Sequence, residues 1–323
     1  MKDLWLVSGG AGFIGSHIVE ELVKRGERVR VLDNFSTGRI ENLANVKDKI
    51  ELVRGDIRDI DTVRRAMKDV TYVLHQAAMR SVPKSVDDPI SANDNNVNGT
   101  LNILIAAKEC KVKKVVYASS SSVYGDCKKF PQRESFLPSP ISPYAVSKLA
   151  GEYYCIMYWK TFSLPTVSLR YFNVFGPRQP AESTYSAVIP KFIELSLFKK
   201  PLELHWDGKQ SRDFTYVSNV VDANIIAALS DKSNGKIYNV ACGMTVSLLE
   251  IVKLLEKYLG YKLEKKFMPK RAGDVRKTYA DISLIKRELD YKPKVGFEEG
   301  FFKTLEWFKN NREVCHDTHD TCK

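Results

Sequence analysis

The chain has 323 residues, of which 44% are hydrophobic and 28% charged, and its six cysteines form no CxxC pair. That length buries a sizeable core without disulfide or metal staples, in one large domain or two closely packed ones. The formal net charge of +11 is scattered in pairs such as Lys113-Lys114 and Lys199-Lys200. No zinc-finger, RRM or basic-helix signature accompanies it, so nucleic acid is not the expected partner. With no signal peptide and no apolar run of about eighteen residues, the expectation is a soluble, cytoplasmic protein with no membrane partner.

Leu4 to Val7 reads as a buried strand, followed by a glycine-rich turn and a helix over Phe13 to Lys24, where Ile14, Ile18 and Leu22 recur at four-residue spacing. Val29 to Leu32 and Glu51 to Val53 are further strands. A charged helix is expected near Asp59 to Lys68, then a strand over Tyr72 to His75. A long helix over Asn93 to Glu109 precedes a strand at Lys114 to Ala118. A helix from Ser142 through Trp159 leads to a strand at Thr166 to Leu169. Strands apolar throughout, alternating with helices, describe a doubly wound α/β fold with a parallel sheet covered on both faces.

Beyond Asn173 the rhythm shortens, with a helix near Ala187 to Phe198 and a strand at Leu202 to His205. A helix near Val220 to Leu229, a strand at Ile237 to Val240 and helices at Leu248 to Leu259 and Glu299 to Lys309 follow. The expected division is a dinucleotide-binding domain over 1–173, with about 213–241 returning to it. A smaller α/β substrate domain takes 174–212 and 242–312, and 313–323 is a flexible tail. Cys110 and Cys155 read as small buried apolar residues. The tail CHDTHDTCK reads as a frayed terminus, so no metal site is expected.

Gly9, Gly12 and Gly15 stand between the first strand and the first helix. The first allows the tight turn, the second lets the backbone approach a pyrophosphate, and the third lets the helix pack on the sheet. The helix N-terminus then faces the phosphates. Asp33, ending the second strand, suits both hydroxyls of an adenosine ribose and repels a 2′-phosphate. Asn34 follows it where an arginine would hold that phosphate, so NAD is favoured over NADP. Asp56 is expected at the adenine edge, with a plain turn as the alternative.

Tyr144 and Lys148 are i and i+4 on a helix and share a face. A phenol titrates near ~10 unperturbed. A neighbouring ammonium and a cationic nicotinamide would favour the phenolate and make Tyr144 a base. Ser119 to Ser122 follow the fifth strand, at the carboxyl edge where such sheets bind ligands.

GGAGFIGSH, LDN, GDIRD, HQAA, SSSSVYG, SPYAVSK, LRYFNVFGPRQ and RDFTYVSNV together resemble the extended short-chain dehydrogenase/reductase family over almost the whole chain. VPKSVDDPISANDNNVNGTLNIL and RAGDVRKTYADIS are similar to the UDP-hexose 4-epimerases that accept N-acetylated sugars. The resemblance implies a Rossmann domain with a smaller C-terminal substrate domain, tightly held NAD, a UDP-sugar substrate and a homodimer. It implies Ser120, Tyr144 and Lys148 as the catalytic residues. The cofactor site it implies comprises Gly9, Gly12, Phe13, Ile14, Asp33, Asn34, Asp56, Ile57, Ala77, Lys84, Asn98, Tyr144, Lys148 and Tyr171, with the Tyr171-Phe172 stretch bordering nicotinamide. The substrate site comprises Lys84, Ser120, Ser121, Tyr144, Asn173, Val188, Arg212, Arg271, Asp274 and Thr278. Val188, Ile189 and Pro190 fall where a uridine pocket is expected, and Thr278 stands where a small residue leaves room for an N-acetyl group.

The implied reaction interconverts UDP-N-acetylglucosamine and UDP-N-acetylgalactosamine, with some UDP-glucose/UDP-galactose activity, through a transient 4-keto sugar. Three alternatives remain: a strict UDP-glucose 4-epimerase, a UDP-glucuronate 4-epimerase, and a non-catalytic NAD-binding regulator. The related 4,6-dehydratases carry Asp and Glu after the catalytic threonine, where this chain has Ser121 and Ser122. The decarboxylases usually have a glutamate where Ser122 stands.

Overall fold

A computed structural model describes residues 2–181, 188–270 and 275–311. The elements run β1 (Leu4–Ser8), α1 (Phe13–Lys24), β2 (Arg28–Asp33), β3 (Ile50–Arg54), α2 (Ile60–Met67), β4 (Tyr72–His75), α3 (Val82–Asp87), α4 (Pro89–Asn93), α5 (Gly99–Glu109), β5 (Lys114–Ser120), α6 (Pro143–Phe162) and β6 (Thr166–Tyr171). Shorter pieces follow: β7 (Val174–Phe175), α7 (Val188–Leu197), β8 (Leu202–His205), β9 (Ser211–Arg212), β10 (Thr215–Tyr216), α8 (Val217–Leu229), β11 (Lys236–Val240), β12 (Val246–Ser247), α9 (Leu248–Leu259), β13 (Lys265–Met268), α10 (Ser283–Leu289) and α11 (Phe297–Asn310).

Seven strands form one sheet in the order β11-β6-β5-β4-β1-β2-β3, and each neighbouring pair is parallel. The fold is thus a Rossmann-type parallel sheet with an added C-terminal α/β part. The strand order reverses between β1 and β4, which opens a crevice at their carboxyl ends. Alternate β1 side chains enter opposite layers: Leu4 and Leu6 join one apolar cluster, Trp5 and Val7 the other. A third cluster, with Phe175, Phe192, Ile251 and Phe301, belongs to the C-terminal elements. Among the described residues no helix is long and apolar enough to cross a membrane.

Two local expectations need correction. The predicted helix over 93–109 is broken: α4 ends at Asn93, a π-turn covers Asp94–Asn98, and α5 starts at Gly99. The widened turn lets the buried Asn96 amide leave the helix and clamp the loop after β4, accepting from Met79 N (2.7 Å) and donating to Met79 O (3.0 Å). Cys155 is buried, but Cys110 caps α5 and is exposed.

Helix α6 is the element that positions the site. Ser142 caps it by accepting from Ala145 N, and Pro143 opens its first turn. Tyr144, Lys148 and Glu152 then recur every four residues on the face against β5. Glu152 and Arg170 of β6 are 0% and 2% exposed and meet in a two-pronged pair, Nε to Oε1 at 2.8 Å and Nη2 to Oε2 at 2.7 Å. Ser119 donates its hydroxyl to the same carboxylate, and the guanidinium lies 4.7 Å from the Tyr124 ring centroid. Removing one charge from such a pair leaves the other buried and uncompensated. Glu152→Gln should therefore lose ~3–5 kcal/mol of unfolding free energy, read by urea titration. A loss under ~1 kcal/mol would mean that the pair does not hold α6 to the sheet.

Candidate active site

A cleft of about 2210 Å³ runs across the carboxyl ends of the central strands and under the C-terminal elements. At its floor, Gly9 adopts φ +70°, and a side chain there would strike Ala77 N at 2.6 Å. A Cβ on Gly15 would fall 2.1 Å from Gly9 O, so the helix can lie on the turn only without one. Gly12 caps α1 with no side-chain hydrogen bond and no acidic residue in the first turn. Uncapped amides facing a cleft are the donor set a pyrophosphate needs. Phe13, Ile14, Asp33, Asn34, Ile57 and Ala77 line the same wall.

Asp33 is buried. One carboxylate oxygen accepts from Ala11 N (2.9 Å), the other from Phe35 N (2.8 Å). Burial pushes its carboxyl up, and those amides pull it down. Each oxygen keeps a second acceptor position, which fits a ribose diol.

Asp56 departs from the adenine-edge expectation. Its Oδ1 accepts from Arg58 N and Nε, and its Oδ2 from Arg58 Nη2 and Asn34 Nδ2. The Arg58 guanidinium holds this carboxyl at about 2. The wall beside it is built by Gly55, Ile57 and Arg58 instead.

Ser120, Ser121, Tyr144 and Lys148 converge on the cleft. Ser120 Oγ accepts from Ser122 N at 3.1 Å, which turns its proton outward. Tyr144 is stitched in place at two points: its N–H donates to Ser85 Oγ (3.0 Å) and its carbonyl accepts from Ser147 Oγ (2.8 Å), which in turn accepts from the Asn96 clamp (2.9 Å). Lys148 donates to Ala118 O at 2.9 Å and sits 5.8 Å from the Tyr144 ring centroid.

The electrostatics correct the expectation of a phenol lowered by its lysine. Burial pushes Tyr144 up, and what opposes it is the Ser120 hydroxyl and then the charge of Arg80. Burial also drives the Lys148 ammonium down to about 7. Lys148 is a desolvated amine tethered to Ala118 O beside the Tyr144 ring.

Two further positions differ from expectation, and a third gains a neighbour. Asn98 is exposed and donates to Asp94 Oδ1 (2.9 Å), because the π-turn rotates it outward; Asn95 lines the cleft and Asn96 is the buried one. Phe172 is fully buried against Tyr124, so only Tyr171 of that stretch borders the cleft. Lys84, on α3, and Arg80, four residues earlier, both line the cleft, and the Arg80 charge acts on Tyr144. Nothing in the spacing of MRSVPKS separates the two cations; their relation to the end of β4 does.

Asn173, at φ +35°, donates to Asp213 O (3.1 Å) and to Thr278 Oγ1 (2.9 Å). Both Asn173 and Thr278 face the cleft, as does Arg212. Asn173 and Arg212 also border a second cavity of about 270 Å³, where Val188 and Ile189 lie; Pro190 is not on its wall. Arg271, Asp274 and the CHDTHDTCK tail fall outside the described residues.

The buried amine carries a pH signature. Folded Lys148 sheds its proton near about 7, an unfolded lysine near ~10.4. Between those values the unfolded chain binds the extra proton, so stability rises with pH there and the full penalty is present below about 7. Melting of ligand-free protein from pH 7 to 10 should show a rising contribution that Lys148→Met lacks. Parallel curves for the two proteins would contradict it.

Residues 6–304 match the family model described as GDP-mannose 4,6 dehydratase. A putative UDP-glucose 4-epimerase of Methanocaldococcus jannaschii is 39% identical over 96% of this chain and 99% of its own length. The structure of a UDP-N-acetylglucosamine 4-epimerase from Methanobrevibacter ruminantium M1, in complex with UDP-N-acetylmuramic acid, superposes with a TM-score of 0.91 at 40% identity, over 96% of this chain and 99% of that one. The Thermus thermophilus UDP-glucose 4-epimerase, in complex with NAD, gives 0.88 at 38% identity, over 95% and 99%. With this likeness over nearly its full length, and a glycine turn, tyrosine–lysine helix and serine edge on one cleft, the chain belongs to the extended short-chain dehydrogenase/reductase family, in its group of NAD-dependent nucleotide-sugar epimerases and dehydratases.

Proposed function

We propose that the protein is a UDP-hexose 4-epimerase acting mainly on the UDP-N-acetylglucosamine/UDP-N-acetylgalactosamine pair, with some activity on UDP-glucose and UDP-galactose. The observation that carries this reading is the company Tyr144 keeps. A phenol and the Ser120 hydroxyl face the cleft together, and the two residues after Ser120 are serines. A hydroxyl-only edge serves removal and return of hydrogen at one carbon. It offers no acid–base pair for expelling water from the sugar.

NAD suits the glycine turn, the uncapped α1 and Asp33. When bound, it supplies the hydride acceptor and donor at sugar C4. The chain does the rest. Ser120 bridges the sugar O4 and Tyr144, and Tyr144 takes the O4 proton as C4 is oxidised. Arg212, Arg271 and Asp274 between them hold the UDP phosphates and ribose while the 4-keto sugar turns. Tyr144 returns the proton after reduction on the other face. Tyr144→Phe should cost at least ~10²-fold in turnover; near-normal turnover would remove Tyr144 from this role.

Thr278 supports the choice of sugar. Its hydroxyl is already satisfied by Asn173, so a small, quiet wall faces the C2 substituent. Sterically excluding a bulky group is easy for a packed pocket, whereas rejecting a smaller sugar is hard. Thr278→Tyr should lose kcat/KM on the acetylated pair selectively. If wild type turns over only the plain pair or UDP-glucuronate, or if the substitution leaves the ratio unchanged, this substrate choice fails.

A homodimer completes the reading. Val146 and Tyr153, one heptad apart on α6, are 53% and 55% exposed, an apolar stripe suited to a second copy. Sedimentation should give twice the chain mass, and Val146→Glu with Tyr153→Glu should give monomers. A monomeric wild type would overturn it.

A further inference from the structure

The loop that leaves Asn173 carries a cation that the reaction at C4 does not use. The Arg178 side chain is 12% exposed and reaches three acceptors on the dinucleotide half of the chain. Its Nη1 donates to Asn42 O (2.8 Å), and its Nη2 donates to Glu20 Oε2 (2.6 Å) and His17 Nδ1 (2.8 Å). His17 Nε2 faces Pro177 O at 3.0 Å. A carbonyl only accepts, so Nε2 carries the ring proton and Nδ1 is left as an acceptor for the arginine. Burial and the Arg178 charge hold the His17 imidazole down at about 3, which keeps the ring neutral. Arg178 also adopts φ +66°, a left-handed backbone that a side chain disfavours and that persists where surrounding bonds hold it.

Both ends of these bonds belong to the cleft. His17 and Glu20 lie on α1, whose N-terminus faces the phosphate position, and Asn42 lies on the 3₁₀ turn at Ile40–Leu43. Asn42 Nδ2 donates to Ala11 O (2.8 Å), and Ala11 N donates to Asp33 Oδ2 (2.9 Å). One line of bonds thus runs from Arg178 through the glycine turn to the carboxylate suited to the ribose. On the other side, Gln179 donates from Nε2 to Val174 O (3.0 Å) and from its backbone N to Gly176 O (3.3 Å), which folds the loop onto β7, directly after Asn173. His17, Glu20, Asn42, Pro177 and Arg178 all line the large cleft. The guanidinium therefore joins two of its walls. Moving those walls apart breaks all three bonds together, because they radiate from one rigid planar group.

We infer that Arg178 is a positioning residue for the cofactor: it bolts the loop after Asn173 to α1 and the glycine turn, and this bolt sets how slowly NAD leaves. The inference rests on the NAD-dependent reading above and on no particular sugar. A hydride taken from the sugar has to be given back by the same dinucleotide. A cofactor that left between the two transfers would strand the ketone.

Exchange of bound NAD against radiolabelled NAD, with NAD content read after denaturing the whole protein, tests the bolt. Arg178→Met should release NAD at least ~10-fold faster than wild type, and its turnover should fall and be restored by added NAD. Arg178→Lys keeps the charge without the planar fork and should also release NAD faster than wild type. Glu20→Leu removes one acceptor from a partly exposed helix position and should release NAD faster too. Glu20→Gln, which keeps a neutral acceptor, should fall between Glu20→Leu and wild type. Exchange at the wild-type rate in Arg178→Met, or in Glu20→Leu where the arginine variant does not fold, would overturn the bolt. So would a loss of melting temperature and turnover with exchange unchanged. Wild type that binds no NAD by calorimetry would sink the NAD-dependent reading, and this inference with it. The expected contrast in exchange from a protein that turns over no UDP-sugar would sink the epimerase reading and leave the bolt standing.

Discussion

The site depends on a helix that buries a polar face. Tyr144, Lys148 and Glu152 repeat at one helical spacing, and each engages the last residues of β5: Ser120, Ala118 O and the Ser119 hydroxyl. An apolar helix face could slide on a sheet at small cost, because dispersion contacts have little direction. Hydrogen bonds and ion pairs have direction, and a buried one cannot be half made. The Glu152–Arg170 pair therefore sets α6 along β5 to within the tolerance of a bond. β5 and β6 are in register with Ser119 opposite Arg170 and Ser120 opposite Tyr171. The pair thus fixes the helix that carries the phenol relative to the strand that leads into Asn173. Such pairs are poor sources of net stability, since desolvation consumes most of the attraction. Their return here is geometric.

What was legible in the sequence divides along the same line between periodic and directional forces. Strand and helix rhythm follows from apolar burial, which repeats every two or every three to four residues, and the main sheet follows that rhythm. Glycine roles were legible because a missing Cβ has local consequences. The π-turn was not, since one extra residue in a turn leaves no mark on a hydrophobic pattern, yet it moves Asn98 out and brings Asn96 in. The pairing of Asp56 with Arg58 was not legible because the partner lies two residues away and no periodicity predicts it.

Lys148 shows why side-chain proximity in sequence is weak evidence about charge. The i, i+4 relation brings its stem to Tyr144, but the amine is drawn toward Ala118 O and loses hydration. Depressed to about 7, it is divided between charged and neutral forms near neutral pH. Its hydrogen bond to Ala118 O fixes where the amine sits. The steadier cation toward the phenol is Arg80, on a loop whose preceding peptide is gripped on both sides by Asn96. The Asn96–Ser147 bond ties that loop to the backbone of Tyr144 itself, so base and cation move as one body.

The remaining requirement is that a sugar turn while its diphosphate stays put, and Asn173 stands where those demands meet. It lies two residues beyond a buried strand, adopts a left-handed backbone, and spends its amide on Asp213 O and Thr278. Asp213 is in turn wrapped by the amides of Cys242, Gly243 and Ala280. The wall shared by the two cavities therefore sets the long Arg212 beside Asn173, whose short side chain is held by backbone. Under the epimerase reading this is the arrangement rotation needs. The diphosphate end is held at that wall by Arg212. The hexose end faces hydroxyls that can donate to either orientation of O4. Rigidity at one end confines the motion to the bonds between sugar and diphosphate, so both faces of C4 can be presented to the same phenol.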